Sequence, residues 1–404
     1  MNKQFRQQFP ALQRQHNGNT LVFMDGPGGT QVPQQVIDAI SNYYRMSNAN
    51  THGAFITAQE TDEVLDGARE AVAHFLGAEG PNTISFGQNM TTLNYSLSRA
   101  IGRMLQAGDE VLITQLDHEG NRGPWLSLRE QGIVVKEVKL KQDGVLDYDD
   151  MAAQLSERTR LVALGYASNF MGTVNDVKKA RELAYRAGAW LLLDAVHYAP
   201  HFPVDVQKAG CDFLLCSAYK FYGPHVGILY SRPGLLDRLP TDRLRTAAQH
   251  APFSIETGTL NHAAIAGVKA AVDFIGSFGK GDHYREKVVD AMNRIHQHEI
   301  ALAALLYEGL RSLKGVKIIG QPMDAPLRAP TLAVRTKGIR PHLVCEQLAS
   351  RNILAWDGHF YAIRAAEVLG LLEKGGVTRL GISAYTSEED VERVIAAFGD
   401  LVDQ

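Results

Sequence analysis

From about residue 80 to about residue 230, short apolar runs rich in β-formers alternate with stretches of helical spacing. The runs fall at 83–86, 110–114, 133–135, 161–164, 190–193, 213–216 and 227–230. Near-continuous apolar strands separated by helices predict a mostly parallel sheet covered on both faces, which is an α/β architecture. The last third reads differently. Its spacing predicts helices over 261–276, 283–313, 341–350 and 387–401, with strands at 316–319, 331–334 and 380–383. These make a smaller α+β lobe, and the turn-rich stretch at 321–326 is a connection inside it rather than a linker.

A length of 404 residues fits two lobes better than one simple core. With 45% apolar and 21% charged residues, the composition is that of a soluble globular protein. The net charge of −3 offers no broad basic surface for nucleic acid or an anionic membrane. No uncharged run is long enough to cross a bilayer, and the first residues have no apolar leader. Cys211, Cys216 and Cys345 are too few and too scattered for a disulfide framework or a zinc site, so no metal is expected. All three read as buried small hydrophobes, which suits a reducing cytoplasm.

In parallel sheets ligands gather beyond the carboxyl ends of strands, so the polar residues there carry the chemistry. Asp194 ends one apolar strand, and Lys220 follows another. Burying both charges is costly unless they pair or hold a ligand. A plain ion pair at the sheet edge would serve. Pyridoxal 5'-phosphate (PLP) would also explain both, because its ring nitrogen needs an acid and its aldehyde needs a lysine.

The loop at 87–92, with Asn89, Met90 and Thr91, joins a strand to a helix. Its free amides and hydroxyls suit an anion, or simply cap the helix. Ser217 and Tyr219, just before the lysine, add two hydroxyls or merely finish a strand. His118 either stacks on a cofactor ring or stays solvated. Asn169 either bonds the cofactor's phenolic oxygen or holds a turn.

Together with Phe23-Met24-Asp25, Ser168 to Thr173, Leu193 to His197, Ser217 to Pro224, Glu256 to Thr259 and Thr378 to Ser383, these residues form a pattern. Over nearly the whole chain it resembles class V aminotransferase-fold enzymes, and within them the group-II cysteine desulfurases. The resemblance implies fold type I of the PLP-dependent transferases (aspartate aminotransferase-like). A segment at 1–20 would pack on the small domain, 21–265 would form the PLP-binding large domain, and 266–404 the small C-terminal domain.

The resemblance also implies roles. Lys220 would carry PLP as a Schiff base, Asp194 would pair with the pyridinium, and His118 would stack on the ring. Asn169 and His197 would lie near the phenolic oxygen, with His197 in place of a family glutamine. Asn89, Met90, Thr91, Ser217 and Tyr219 would surround the phosphate, Tyr219 standing where desulfurases usually have histidine. Thr259 would reach the phosphate of a neighbouring subunit, which implies a homodimer with shared sites. Arg379 would clamp the substrate carboxylate, although without the motif a surface salt bridge explains it as well.

Two departures from the family pattern bear on chemistry. Alignment of residues 356–362 puts Tyr361 where desulfurases carry the cysteine that accepts sulfur, and a phenol cannot do that work. Near the N-terminus, His52 lies in a stretch that replaces the family's His-Arg-Gly, and Gly28 belongs to a glycine-rich substrate loop. The expected activity is therefore PLP chemistry on a small amino acid through an external aldimine, favouring C–S cleavage by β-elimination. Tyr361 or His359 would handle protons on the substrate side. Transamination and epimerisation lie open from the same intermediate, and a non-catalytic PLP-binding protein is a further alternative. A nicotinamide enzyme is excluded because Gly-x-Gly-x-x-Gly is missing between the first strand and helix.

Overall fold

The protein is described by a computed structural model covering residues 3–402. Its large sheet has seven strands: β1 (Ile84–Gly87), β2 (Glu110–Thr114), β3 (Val134–Val138), β4 (Thr159–Gly165), β5 (Trp190–Asp194), β6 (Phe213–Ser217) and β7 (Gly227–Ser231). They lie in the order β1-β7-β6-β5-β4-β2-β3. From β6 to β3 all neighbours are parallel, while β7 runs antiparallel to both β1 and β6.

The apolar runs are unbroken because alternate residues enter different cores. Val162, Leu164, Leu191, Leu193, Leu214 and Cys216 join one cluster. Leu161, Ala163, Leu192, Phe213 and Leu215 join the cluster on the opposite face. Side chains alternate across a strand, so a sheet covered on both sides needs both parities apolar.

The small lobe is an antiparallel sheet of β8 (Val316–Ile319), β9 (Thr331–Thr336), β10 (Trp356–Gly358) and β11 (Val377–Gly381), in the order β8-β9-β11-β10. Helices Pro341–Ala349 and Glu388–Val402 pack on it and share its core. Strand β10 has no counterpart in the apolar pattern, since three residues are too short to show a period. Among the described residues no helix is long and apolar enough to cross a membrane.

The domain boundary expected between residues 265 and 266 falls inside the helix His262–Gly276. That helix packs on Gln34–Met46 and Ile56–Leu76 of the large lobe. The long helix Tyr284–Ser312 that follows spans the seam, with Val288, Ala291, Met292 and Ile295 in the cluster shared with the large sheet and Leu302, Ala303, Leu306 and Leu310 in the core of the small lobe. The N-terminal segment, expected on the small domain, lies across the seam. Arg6 pairs with Asp390 of the last helix, and His16 bonds Asn352 at 2.9 Å. Phe5 and Phe9, however, pack on Tyr222 and Phe274. Beyond it, Val22–Phe23 pairs in parallel with Ile353–Leu354, placing the start of the expected large domain against the small lobe.

Candidate active site

A cavity of about 740 Å³ opens where the carboxyl ends of the parallel strands meet the small lobe. Asp194 is the last residue of β5, and Lys220 closes a tight turn, Ala218–Lys220, that follows β6. The turn is forced back by Tyr222, whose φ of 70° is uncommon for a residue with a side chain. Both ionisable groups are 8% exposed.

Burial lifts the Asp194 carboxyl to about 7, against the opposing effects of the Val196 N–H and the Lys220 charge. Burial also lowers the Lys220 amine to about 7, helped by the positive charge of Arg379. Lys220 Nζ donates to the Pro27 carbonyl. An amine held there is substantially neutral at physiological pH and therefore nucleophilic.

The far end of the cavity has the chemistry of an anion site. The helix Met90–Gly102 begins on it, capped by Asn89, whose Oδ1 accepts the Thr92 N–H at 2.9 Å. The Met90 N–H donates to Ser217 Oγ at 3.2 Å, which leaves the serine proton to donate elsewhere. The Thr91 N–H has no acceptor among the described residues. Free donors at a helix N-terminus favour a phosphate. Tyr219 lines the same wall and stacks on His225, ring centroids 4.5 Å apart.

His118 stands over the cavity as the N-cap of the helix Glu119–Leu126. Its Nδ1 accepts the Gly120 N–H at 2.8 Å, so the ring carries its proton on Nε2. Burial, with Lys220 and Arg379 nearby, depresses it to about 4, so it stays neutral. Beneath it, Asp117 accepts the Gly165 N–H at 2.8 Å and is raised by burial to about 6. Sequence reasoning passed over Asp117, although it too follows an apolar strand and directly precedes His118.

His197 donates to or accepts from Thr331 Oγ1 at 3.0 Å, and its buried Nδ1 has no partner. Asn169 donates to the Phe360 carbonyl at 2.8 Å, and its own carbonyl accepts from Arg379 at 2.9 Å. Arg379 is 4% exposed, with its guanidinium 3.9 Å from the centroid of Phe360. Burial lowers it to about 9, which leaves it charged at neutral pH. Gly28 lies beside it, and a Cβ there would come 3.6 Å from an Arg379 nitrogen.

The mouth is formed by β10 and the loop after it, bringing Trp356, His359, Phe360 and Tyr361 to the rim. Phe360 and Tyr361 both have left-handed backbone, with φ of 51° and 59°. The Tyr361 carbonyl accepts the Glu119 N–H at 2.7 Å, which ties this loop to the His118 helix. The two rings lie 5.4 Å apart. Trp356 and His225 were not foreseen, because one is on the unpredicted strand and the other lies past the lysine turn.

Two expected residues lie outside this cavity. His52 sits in a left-handed turn and pairs with Asp62 at 3.1 Å, its side chain 81% exposed. Thr259 is exposed on a loop fixed by the buried pair of Glu256 with Arg69, 2.8 Å apart. Glu256 also accepts the Phe86 N–H at 2.7 Å.

The cavity fits PLP on these grounds: a buried acid at one end, unpaired donors at the other, and an amine between. Among the described residues no group of histidine, cysteine, aspartate and glutamate is arranged to hold a metal ion.

Comparison with known proteins agrees. The family model described as aminotransferase class-V matches residues 22–394. A probable cysteine desulfurase of Halalkalibacterium halodurans is 30% identical over 95% of this chain and 94% of its own. One from Vibrio cholerae is 32% identical, covering 98% of each. Among solved structures, the apo cysteine desulfurase of Thermococcus onnurineus superposes with a TM-score of 0.89 at 26% identity, covering 99% of this chain and 98% of that one. The cysteine desulfurase CsdA of Escherichia coli gives 0.87 at 27% identity, with the same coverage. The chain belongs to the aminotransferase class-V family and uses that family's cofactor, pyridoxal 5'-phosphate.

Proposed function

We propose that this enzyme cleaves a carbon–sulfur bond of a small amino acid by β-elimination and passes no sulfur to a cysteine of its own. The observation that carries the reading is the position of the thiols. Cys211 and Cys216 are buried in the large lobe, and Cys345 is buried on the helix Pro341–Ala349. None lines the cavity, and burial pushes the Cys345 thiol up to about 12. A thiol kept protonated is a poor sulfur acceptor. Tyr361 lines the mouth instead.

Asp194 would hold the pyridine nitrogen, Lys220 the aldehyde, and Ser217, Tyr219 and the amides of Met90 and Thr91 the phosphate. His118 would cover the ring, with Asn169 and His197 beside its hydroxyl. Bound there, PLP supplies an aldehyde for amines and a protonated ring that stabilises negative charge at the substrate Cα.

Arg379 orients the substrate through its carboxylate, using the guanidinium donors not committed to Asn169. Lys220, beside the bound amino acid, would take the Cα proton, since burial lowers its pKa to about 7 and leaves a large fraction of the amine neutral. As the Cβ–S bond breaks, its electrons leave on sulfur. Tyr361 or His359 at the rim donates the proton that sulfur needs.

The test is a product analysis with L-cysteine and its thioethers. Pyruvate, ammonia and a free thiol or sulfide are expected, with no sulfane sulfur on the protein. Alanine together with a protein persulfide would overturn the reading.

We also propose a homodimer with shared sites, in the cytoplasm. Thr259 and His52 are exposed and do not line their own cavity, and Tyr44, Met46, Phe55 and Ile56, close to His52 in the sequence, leave large apolar side chains exposed. Sedimentation equilibrium is expected to give twice the chain mass, and Thr259→Ala to weaken PLP binding. A monomer with full activity would refute it.

A further inference from the structure

The rim of the cavity carries more aromatic surface than a cysteine-sized side chain needs. Trp356 is 57% exposed even though it stands on a sheet strand. The register explains where it sits: Trp356 lies directly opposite Arg379 across β10 and β11. Residues paired this way stand on the same face with their side chains in reach of one another. Gly28 keeps the space beside them open, since a Cβ at that position would come 3.3 Å from the indole nitrogen. Tyr361, 68% exposed, faces the same opening.

The charges at the rim narrow the ligand further. Asp357, next along the strand, also borders the cavity, but its carboxylate lies 3.5 Å from His342 on the other side of the strand. Asp117 is committed to backbone amides, and Asp194 lies at the floor. Among the described residues no glutamate lines the cavity, and the one carboxylate on its rim, Asp357, is turned to His342, so a cationic side chain meets no uncommitted carboxylate at the mouth. Flat apolar surface is what remains beside the carboxylate clamp.

We infer that the substrate carries a planar aromatic or heteroaromatic group beyond Cβ, which packs on Trp356 while its carboxylate sits on Arg379. The inference rests on the C–S chemistry proposed above, and the two together name the substrate class as thioethers of cysteine bearing an aromatic ring. A cavity of about 740 Å³ has room for such a side chain beside the cofactor.

The experiment is a binding series on the PLP-loaded enzyme, read from the shift of the cofactor absorbance. L-cysteine, S-methyl-L-cysteine, S-benzyl-L-cysteine and L-phenylalanine are compared. S-benzyl-L-cysteine is expected to bind roughly tenfold tighter than S-methyl-L-cysteine, the scale of one favourable aromatic contact. Trp356→Ala is expected to shrink that ratio below about twofold, and Trp356→Phe to restore most of it. Quenching of indole fluorescence by S-benzyl-L-cysteine, lost in Trp356→Phe, gives a readout independent of turnover. A wild-type ratio near one overturns the inference, as does a Trp356→Ala enzyme that keeps the ratio. If these ligands bind as expected but yield alanine and a protein persulfide from cysteine, the elimination reading fails while the aromatic subsite stands. If no cofactor band forms at all, both fall.

Discussion

At the floor of the cavity, Asp117, Asp194 and Lys220 are buried at strand ends of the large lobe. At the mouth, Trp356, His359 and Tyr361 stand on the edge strand and loop of the small lobe, in contact with solvent. At the floor, burial raises the Asp194 carboxyl and lowers the Lys220 amine, each to about 7, so the surroundings set the chemical state. In the function proposed above, the floor handles the amino group, while the mouth selects the amino acid and receives its leaving group.

That contrast can be broken at several points. The largest effect is expected at Lys220→Ala, with turnover down roughly 10³-fold or more and no borohydride-reducible link to the cofactor by peptide mass analysis. Asp194→Asn keeps the shape of the floor but removes the charge, and is expected to cost roughly 10²-fold in kcat. If it costs less than twofold, the acid at the floor is not what supports the electron sink.

Arg379→Lys exchanges a fork for a point charge, and KM is expected to rise about 10- to 100-fold with a smaller change in kcat. The amine at position 220 gives a pH test on the cofactor-free protein. Its neutral form prevails above about 7, so the rate of PLP capture should climb about tenfold per pH unit below 7 and level off above it. A climb that continues towards pH 10 would mean an ordinary lysine. The smallest change is expected at the mouth, where Tyr361→Phe should lower kcat about tenfold, because solvent at the exposed rim replaces part of the proton donation. The cofactor spectrum should not move.

The same division governs how much could be read from the sequence. Two of the floor residues were legible because they follow apolar runs, Asp194 after 190–193 and Lys220 soon after 213–216; Asp117, which follows the run 110–114 at a distance, was passed over. The meeting of Asp194 and Lys220 is a consequence of the parallel order of β5 and β6. Trp356 escaped notice because it belongs to a three-residue strand whose partner, Arg379, lies across the small sheet. His52 and Thr259 were assigned to the site through family resemblance. The fold holds them outside the cavity of their own chain, His52 by its left-handed turn and Asp62, and Thr259 by the Glu256–Arg69 anchor.

Two opposed cores share the strands of the large sheet. Because both parities are apolar, oil-like burial alone is nearly blind to a strand sliding by a single residue. Such a slip would leave the cores greasy while swinging the Asp194 carboxylate to the wrong side. Polar pins at the strand ends remove that degeneracy. Asp117 grips the Gly165 amide at one edge, and Asp212 accepts the Leu191 N–H at 2.8 Å while pairing with Arg232 at 2.9 Å. The alignment of the reactive carboxylate is thus kept by carboxylates that take no part in the reaction.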